Sequence, residues 1–255
     1  MITAASNSRI KRLVQLNQKS KLRRTEDVFL AEGVKMFLEA PREQLQEVYV
    51  SESFLEKCSC REHLEEVGYE VVSDSVFSKI SDTCTPQGVL CVLKQFHYNI
   101  EEMLRDKAPL FLLLENIQDP GNLGTMLRTG EGAGVSGIIM SRDTVDLYNP
   151  KVIRSTMGSI YRVPFYYADD FAAAVHQVQR AGVSVYAAHL RGKNSYACQD
   201  YTKGTAFLIG NEGNGLREET AELADCYIRI PMEGKVESLN AAVASSILMY
   251  EAHRQ

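Results

Sequence analysis

The chain has 255 residues, 45% of them hydrophobic and 24% charged, which is the composition of an ordinary soluble globular protein. Its six cysteines form no C-x-x-C pair, so they are typical of reduced cytoplasmic thiols rather than of a zinc site. No apolar run approaches the roughly 18 residues of a membrane span, and the N-terminal stretch lacks a signal-peptide core. We therefore expect a cytoplasmic protein that uses no metal and enters no membrane.

The net charge of −5 conceals a basic segment near the N-terminus. No acidic residue precedes Glu26, so the segment is a plausible phosphate-contacting element, and six of its basic residues are the candidate contacts: Arg9, Lys11, Arg12, Lys21, Arg23 and Arg24. A solvated helix face would show the same charges, so charge alone does not identify the partner.

The first part of the chain alternates short helices and strands. In chain order the patterns predict a basic helix over 9–24, a strand, glycine turn and helix over 28–40, a strand over 47–52 and a polar helix over 53–66. These elements indicate a small α/β domain over residues 1–95. The polar stretch 96–109, which ends in proline, is predicted to be a linker with some helix.

From Leu110 onward, apolar strands alternate with helices. The predicted strands are LFLLLE, GIIMS, SVYAAHL, TAFLIGNE and CYIRIP, and the predicted helices lie near 122–133, 150–158, 170–181, 216–224 and 239–253. Continuous apolar strands spaced by helices predict a parallel sheet that is covered on both faces. Ligands of such folds bind in the loops at the carboxyl ends of the strands.

The first of three notable loops runs from Asp119 to Gly124 and opens a helix. Its Pro-Gly pair suits a tight turn. In the helix that follows, Leu123, Met126 and Leu127 form an apolar stripe, and Arg128 lies opposite that stripe. Arg128 could be an ordinary exposed arginine, and Asn122 could be only a helix cap.

The second and third loops are rich in small and polar residues. Gly210-Asn211-Glu212-Gly213-Asn214-Gly215 follows a strand, and glycines allow its backbone to approach a ligand closely. The third loop leads from Ile230 to Ser238-Leu239-Asn240, and Ser238 is a reasonable N-cap for the terminal helix. Three such strand ends predict one composite pocket. The glycine fingerprint of a Rossmann nucleotide site is absent, which disfavours that alternative.

In this order the three loops resemble the three motifs of the SpoU (TrmH-like) family of RNA ribose 2′-O-methyltransferases, in the SPOUT superfamily. The matching stretches are NIQDPGNLGTMLRTGEGAG, LIGNEGNGL and IRIPMEGKVESLNAAVASSILMYE. The N-terminal stretch SNSRIKRLVQLNQKSKLRRTEDVFLAEGVKMFLEA is similar to the family's accessory substrate-binding domain.

The resemblance implies a fold, a cofactor and a set of site residues. It implies an α/β SPOUT methyltransferase domain over 110–255 with a C-terminal trefoil knot, preceded by the small RNA-binding domain, and a homodimer that uses S-adenosylmethionine. By position, the expected catalytic residues are Arg128, Asn122, Glu212, Ser238 and Asn240. The expected cofactor-binding residues are Gly210, Ile230, Leu239, Met232 and Ala188. Glu212 is expected to orient Arg128 or to serve in the dimer interface.

The expected function is methylation of a ribose 2′-hydroxyl, first in ribosomal RNA and second in transfer RNA. The alternative is a non-catalytic RNA-binding or ribosome-assembly protein on the same fold. The expected site residues are all present, which counts against that alternative, because a site that had lost its chemistry would have no physical reason to keep them together.

Overall fold

The computed structural model describes residues 1–236 and 238–255, which form two compact units. The elements up to residue 96 are α1 Ser8–Gln18, α2 Ser20–Glu26, β1 Val28–Glu32, α3 Val34–Leu38, β2 Leu45–Ser51, α4 Glu52–Lys57, α5 Arg61–Val67, β3 Glu70–Val72, α6 Asp74–Ile80 and β4 Val89–Lys94. Both long predicted helices of this part are therefore split. The basic segment breaks at Lys19, which has an extended backbone, and the polar segment breaks between Lys57 and Arg61.

The remaining elements follow a stricter alternation. They are α7 Ile100–Met103, β5 Leu110–Leu114, α8 Pro120–Ala133, β6 Gly137–Ser141, α9 Pro150–Thr156, β7 Phe165–Ala168, α10 Phe171–Arg180, β8 Ser184–Ala188, β9 Asn194–Ser195, β10 Thr205–Ile209, α11 Glu218–Ala221, β11 Cys226–Arg229 and α12 Ala241–Arg254, with 3-10 turns at Ser159–Tyr161 and Tyr196–Cys198. The five predicted strands are all present, and β7 and β9 were not predicted. None of the helices described is long and apolar enough to span a membrane.

The first unit joins Met1–Phe96 to a segment from later in the chain, Asp146–Tyr161. Its sheet has the order β1-β4-β2-β3, and α9 packs against β1. The Tyr148 hydroxyl accepts a hydrogen bond from the Phe96 N–H at 2.6 Å, and the Tyr161 hydroxyl donates to the Met36 carbonyl at 3.0 Å. The predicted domain limits at residues 95 and 110 stay predictions.

The second unit comprises His97–Val145 and Arg162–Gln255 and contains a seven-stranded sheet of order β7-β6-β5-β10-β8-β11-β9. Every pairing between these strands is parallel, as predicted. Phe111–Leu114 are fully buried because helices cover both faces of the sheet. All carboxyl ends of the strands consequently meet at one edge.

Two helices carry the predicted site residues, and each begins at a specific cap. Asp119 caps α8 by accepting the Asn122 N–H at 2.7 Å, and Pro120 takes the first helical position, where its missing N–H costs nothing. The cap of α12 is Asn240, whose Oδ1 accepts the N–H groups of Ala242 and Val243. The prediction that Ser238 caps this helix is therefore wrong: the helix begins one residue after Asn240, and an asparagine amide caps as well as a serine hydroxyl.

The terminal helix packs against α8, as its small residues led us to expect. Ala241, Ala242 and Ser245 are buried, and Met249 approaches the position where Gly130 has no side chain. On the other face of α8 from its buried stripe, Arg128 is exposed. The helix is thus fixed on one side and open on the other.

Candidate active site

Three predicted cofactor residues lie at the carboxyl ends of three neighbouring strands. Ala188 ends β8, Gly210 follows β10 and Ile230 follows β11, and these strands are adjacent in the order β10-β8-β11. The ends of β8 and β11 are joined by a hydrogen bond, because the His189 N–H donates to the Ile228 carbonyl at 3.0 Å. Ile230, Met232 and Leu239 are each half-buried, which leaves apolar surface at this edge.

The loop after β10 owes its glycines partly to its own packing. Asn211 and Gly215 exchange backbone hydrogen bonds at 2.9 and 3.0 Å. A Cβ on Gly210 would lie 2.2 Å from the Gly215 carbonyl carbon, so no other residue fits there without moving the loop. Gly215 has φ +69°, in the left-handed region. At Gly210, glycine is thus required by the packing of the loop itself, whereas the sequence interpretation favoured close approach to a ligand.

Asn122, Glu212 and Asn240, three of the five predicted catalytic residues, form one chain of hydrogen bonds. Asn240 Nδ2 donates to Asn122 Oδ1 at 2.9 Å, and Asn122 Nδ2 donates to Glu212 Oε1 at 3.0 Å. Because Asn122 is 9% exposed and bonded at both ends of its amide, its orientation is fixed. The three loops are therefore tied together by side chains that the sequence had singled out.

The Glu212 carboxylate also receives two backbone donors from the first loop. The N–H groups of Gln118 and Asp119 donate to it at 3.1 and 3.0 Å. Partial burial acts to raise the pKa of Glu212, but the hydrogen bonds from Asn122, Gln118 and Asp119 outweigh burial and lower the pKa below its ordinary value. Glu212 is thus held as an ionised acceptor that joins the second loop to the first.

The other two predicted catalytic residues stand outside this chain. Arg128 and Ser238 are both exposed, and Arg128 makes no hydrogen bond or ion pair with any residue the structure describes. The expectation that Glu212 orients Arg128 is not met, since the carboxylate is occupied by Gln118, Asp119 and Asn122. Within the described residues, the Arg128 guanidinium therefore has no acceptor of its own.

Sequence reasoning missed the residues that connect the first two loops at their base. Asn211 Nδ2 donates to the Asn116 carbonyl at 2.8 Å, and Asn116 has φ +54°, a conformation that is uncommon outside glycine. Asn211 Oδ1 also accepts the N–H groups of Gly213 and Asn214. The available signal was the asparagine itself, which favours turns in which its side chain bonds the backbone two residues later.

Among the six predicted RNA contacts, Arg23 is corrected by the structure. It is 3% exposed, and its guanidinium donates to the carbonyls of Leu16 and Asn17 and to Asp146 Oδ2, the last at 2.5 Å. A guanidinium with these acceptors inside the protein is not available to a phosphate. Arg23 therefore anchors the first unit rather than contacting RNA.

The remaining five predicted contacts divide into paired and unpaired groups. Arg9 forms an ion pair with Glu70, and Arg12 forms ion pairs with Glu26 and Glu47 at 2.7 Å each. By contrast, Lys11, Lys21 and Arg24 are exposed and form no ion pair with a residue in the described part of the chain. Only the unpaired group offers its full charge to a polyanion.

Comparison with known proteins places both parts of the chain. Residues 109–250 match the model of the SpoU rRNA Methylase family, and residues 7–91 match the model of the MRM3-like substrate binding domain. The chain belongs to the SpoU rRNA methylase family. The predicted SpoU membership and the α/β SPOUT fold class are thereby confirmed.

Individual SpoU relatives match over nearly the whole chain. The 23S rRNA (guanosine(2553)-2′-O)-methyltransferase RlmP of Bacillus subtilis is 32% identical, with 98% of this chain and 97% of the relative covered. The AdoMet-bound rRNA methyltransferase of Sinorhizobium meliloti is 31% identical, with a TM-score of 0.85 and coverage of 99% and 97%. The SpoU methyltransferase AviRb of Streptomyces viridochromogenes, solved with AdoMet, gives a TM-score of 0.88 at 26% identity, with 98% of both chains covered.

Proposed function

We propose that this chain is an S-adenosylmethionine-dependent methyltransferase that modifies a ribose 2′-hydroxyl in ribosomal RNA. The observation that carries the proposal is the hydrogen-bond chain Asn240–Asn122–Glu212, which joins three loops at the carboxyl edge of a parallel sheet. A relative that matches 98% of this chain is named as a 23S rRNA 2′-O-methyltransferase, and two neighbouring structures hold AdoMet. Transfer RNA is the second substrate class.

The residues at the strand ends fit the cofactor. When bound, S-adenosylmethionine supplies a methyl group activated by a positively charged sulfur. Ala188, Gly210 and Ile230 would meet it with backbone groups at the strand ends, and the half-buried side chains of Met232 and Leu239 would cover its apolar parts. No cation or metal ligand is needed beside a group that is already positive.

Arg128 stabilises the charge that develops on the attacking oxygen. A ribose hydroxyl is a weak nucleophile at neutral pH, and its oxygen becomes more negative as its proton leaves. The electron pair of the carbon–sulfur bond that breaks would stay on the sulfur as the oxygen bonds the methyl carbon. A guanidinium is always protonated in proteins, so Arg128 acts as a cation on the 2′-oxygen and an adjacent phosphate and not as the base. The hydroxyl proton leaves to water or to a phosphate oxygen.

The Asn122–Glu212 pair supplies the rigidity that this role of Arg128 needs. Asn122 lies in the first turn of α8, and Arg128 lies between one and two turns later on the same helix. With its amide bonded to Glu212 and Asn240, Asn122 fixes the start of that helix to the other two loops. Asn240 and Ser238, beside this junction, position the target nucleotide. Fixed groups of this kind lower the reorganisation that the reaction requires.

The N-terminal unit holds the RNA substrate in this proposal. The match to a substrate-binding domain over residues 7–91 supports it, as do the unpaired side chains of Lys11, Lys21 and Arg24. Such contacts position an RNA backbone without reading its sequence. The domain limits 1–95, 96–109 and 110–255 belong to the same proposal, as do a cytoplasmic location and the C-terminal knot.

The proposed assembly is a homodimer that uses the outer face of α12. Val243 and Tyr250 lie two turns apart on that helix, and each is 48% exposed. Two large apolar side chains on one helix face are better buried against a second copy of the chain than left in water. The molar mass in solution measures this directly, and a monomer at micromolar concentration would contradict it.

Methyl transfer to RNA tests the proposed function. Labelled S-adenosylmethionine is incubated with unmodified ribosomal and transfer RNA, and the wild-type chain is compared with Arg128→Ala. The expected result is label in ribosomal RNA that resists alkaline cleavage at the modified ribose, with the rate lowered about 10²- to 10³-fold in the variant. RNA binding without transfer to either pool would contradict the proposal and favour the non-catalytic alternative.

A further inference from the structure

Glu115 is a buried carboxylate next to the glycine-rich loop, residues 210–215, and it has no part in the mechanism above. It follows β5 directly, its side chain is 2% exposed, and β5 is flanked by β6 and β10 within the sheet. Its backbone N–H donates to the Ile209 carbonyl at 2.9 Å, which fixes it beside the point where the loop begins. A carboxylate in such a place is costly unless donors compensate it.

The hydrogen-bond donors to Glu115 come from two residues that follow this loop in the chain. Arg217 N–H donates to Glu115 Oε2 at 2.8 Å, Thr220 Oγ1 donates to Oε1 at 2.5 Å, and Arg217 Nη1 lies 3.6 Å from Oε1. The outer nitrogen of Arg217 pairs with Asp143, which also accepts the Ser141 hydroxyl. Glu115 therefore binds the residues that follow the loop, Arg217 and Thr220, and Asp143 binds the side chain of Arg217 from a second position.

The glycine-rich loop is thus held by carboxylates at two points. Glu212, within the loop, binds the first loop through Gln118, Asp119 and Asn122. Glu115 binds the loop's exit through Arg217 and Thr220. Gly210 opens the same loop, and a Cβ on it would lie 2.2 Å from the Gly215 carbonyl carbon, so the start of the loop packs closely against its end.

We propose that Glu115 is a positioning residue, which fixes the loop 210–215 in the form that binds S-adenosylmethionine. This role rests on the proposed function, since it assigns the loop to that cofactor. Glu115 acts through Arg217 and Thr220 and touches no reacting atom. Its loss therefore weakens cofactor binding, while the chemical step at saturating cofactor proceeds as before.

Asp225 provides a matched control at the opposite edge of the same sheet. Its carboxylate also accepts one backbone N–H, from Val185 at 2.7 Å, and one side-chain donor, Gln179 Nε2 at 3.1 Å. Val185 is the second residue of β8, so it lies away from the carboxyl ends of the strands. Asp225 is exposed, unlike Glu115, so Asp225→Asn removes the same two kinds of hydrogen bond at the surface without touching the loops of the candidate site.

The test compares Glu115→Gln with Asp225→Asn in the full chain. The dissociation constant of S-adenosylmethionine is measured by calorimetry, kcat at saturating cofactor by methyl transfer, and stability by thermal unfolding. We expect both variants to unfold at lower temperature, and only Glu115→Gln to raise the dissociation constant, about tenfold, the cost of one weakened charge-assisted hydrogen bond. Its kcat should stay within about twofold of wild type, because Glu212 keeps its own hydrogen bonds to Gln118, Asp119 and Asn122, and Glu115 holds only the exit of the loop.

Four outcomes would overturn the role of Glu115. An unchanged dissociation constant in Glu115→Gln, or an equal rise in Asp225→Asn, would make the residue purely structural. If Glu115→Gln does not fold, Thr220→Val removes a single donor at nearly constant shape, and it must raise the dissociation constant at least about threefold. A wild-type chain that binds no S-adenosylmethionine would instead refute the proposed function, and with it this role.

Discussion

Two arginines, one in each compact unit, show how differently the same side chain can be used. Arg23, in α2, is buried and donates to two carbonyls and to Asp146. Arg128, in α8, is exposed and has no partner among residues 1–236 and 238–255. The sequence assigned both to an RNA-facing role, Arg23 within a cluster of basic residues and Arg128 as the one arginine of its helix. The difference lies in the acceptors that the fold brings to each: among the described residues, Arg23 has three and Arg128 has none.

The same contrast holds for the regions around them. The N-terminal helices neutralise part of their charge internally, since Arg9 and Arg12 pair with carboxylates. At the strand-end loops, the anionic Glu212 is satisfied by backbone and amide donors instead of by a cation. The candidate site can therefore hold an ionised carboxylate without using Arg128 as its counter-ion.

The largest expected effect comes from making the same substitution at both arginines. Arg23→Ala should lower the free energy of unfolding by about 3 kcal/mol, because it leaves Asp146 without its cation and empties a buried position. Arg128→Ala should change stability by less than about 0.5 kcal/mol, because no described residue loses a partner. Urea titration of both variants measures the difference. Equal decreases in the free energy of unfolding for the two variants would contradict the difference between the two arginines.

A smaller effect is expected in RNA binding. Replacing Lys11, Lys21 and Arg24 together by alanine should reduce affinity for ribosomal RNA about tenfold at moderate salt and flatten its dependence on salt concentration. The control is Arg9→Ala, which removes a cation already paired with Glu70. Titrations at several salt concentrations give both slopes. If Arg9→Ala weakens binding as much as the triple variant, pairing within the unit does not decide which cations RNA uses.

The smallest expected effect is on how the free energy of unfolding depends on pH. The pKa of Glu212 is lowered in the folded chain, so the carboxylate contributes stability above its unfolded pKa, near 4.3. That contribution is lost as the pH falls through the lower folded pKa. Unfolding free energies of wild type and Glu212→Gln should therefore differ by a constant amount above about pH 5 and converge below about pH 4. A difference that stays constant down to pH 3 would mean that charge on Glu212 has no part in joining the loops.

Much of the second unit, His97–Val145 and Arg162–Gln255, could be predicted from the sequence, because its strands are apolar runs and its loops carry turn residues. Leu110–Leu114 and Thr205–Ile209 are buried on both faces, so they lack the alternation of half-exposed strands and are recognisable as parallel. Phe165–Ala168 was missed, since four residues beside a proline give too short a pattern.

What the sequence could not supply were partners distant along the chain. Arg23 and Asp146 are 123 residues apart, and nothing in the basic segment predicts that one of its arginines is buried. Glu115 is likewise 102 residues from Arg217. Ser238 and Asn240 are equally good caps, and the choice between them depends on Asn122, which only the folded sheet places beside Asn240.

The measurement that most directly tests the central claim is a crystal structure of the chain with S-adenosylhomocysteine, the reaction product. We predict that the ligand lies at the carboxyl edge of the seven-stranded sheet, against Ala188, Gly210 and Ile230, with the Asn122–Glu212 and Asn122–Asn240 hydrogen bonds intact. A ligand bound elsewhere on the chain, or one that binds here only after those bonds break, would contradict the account.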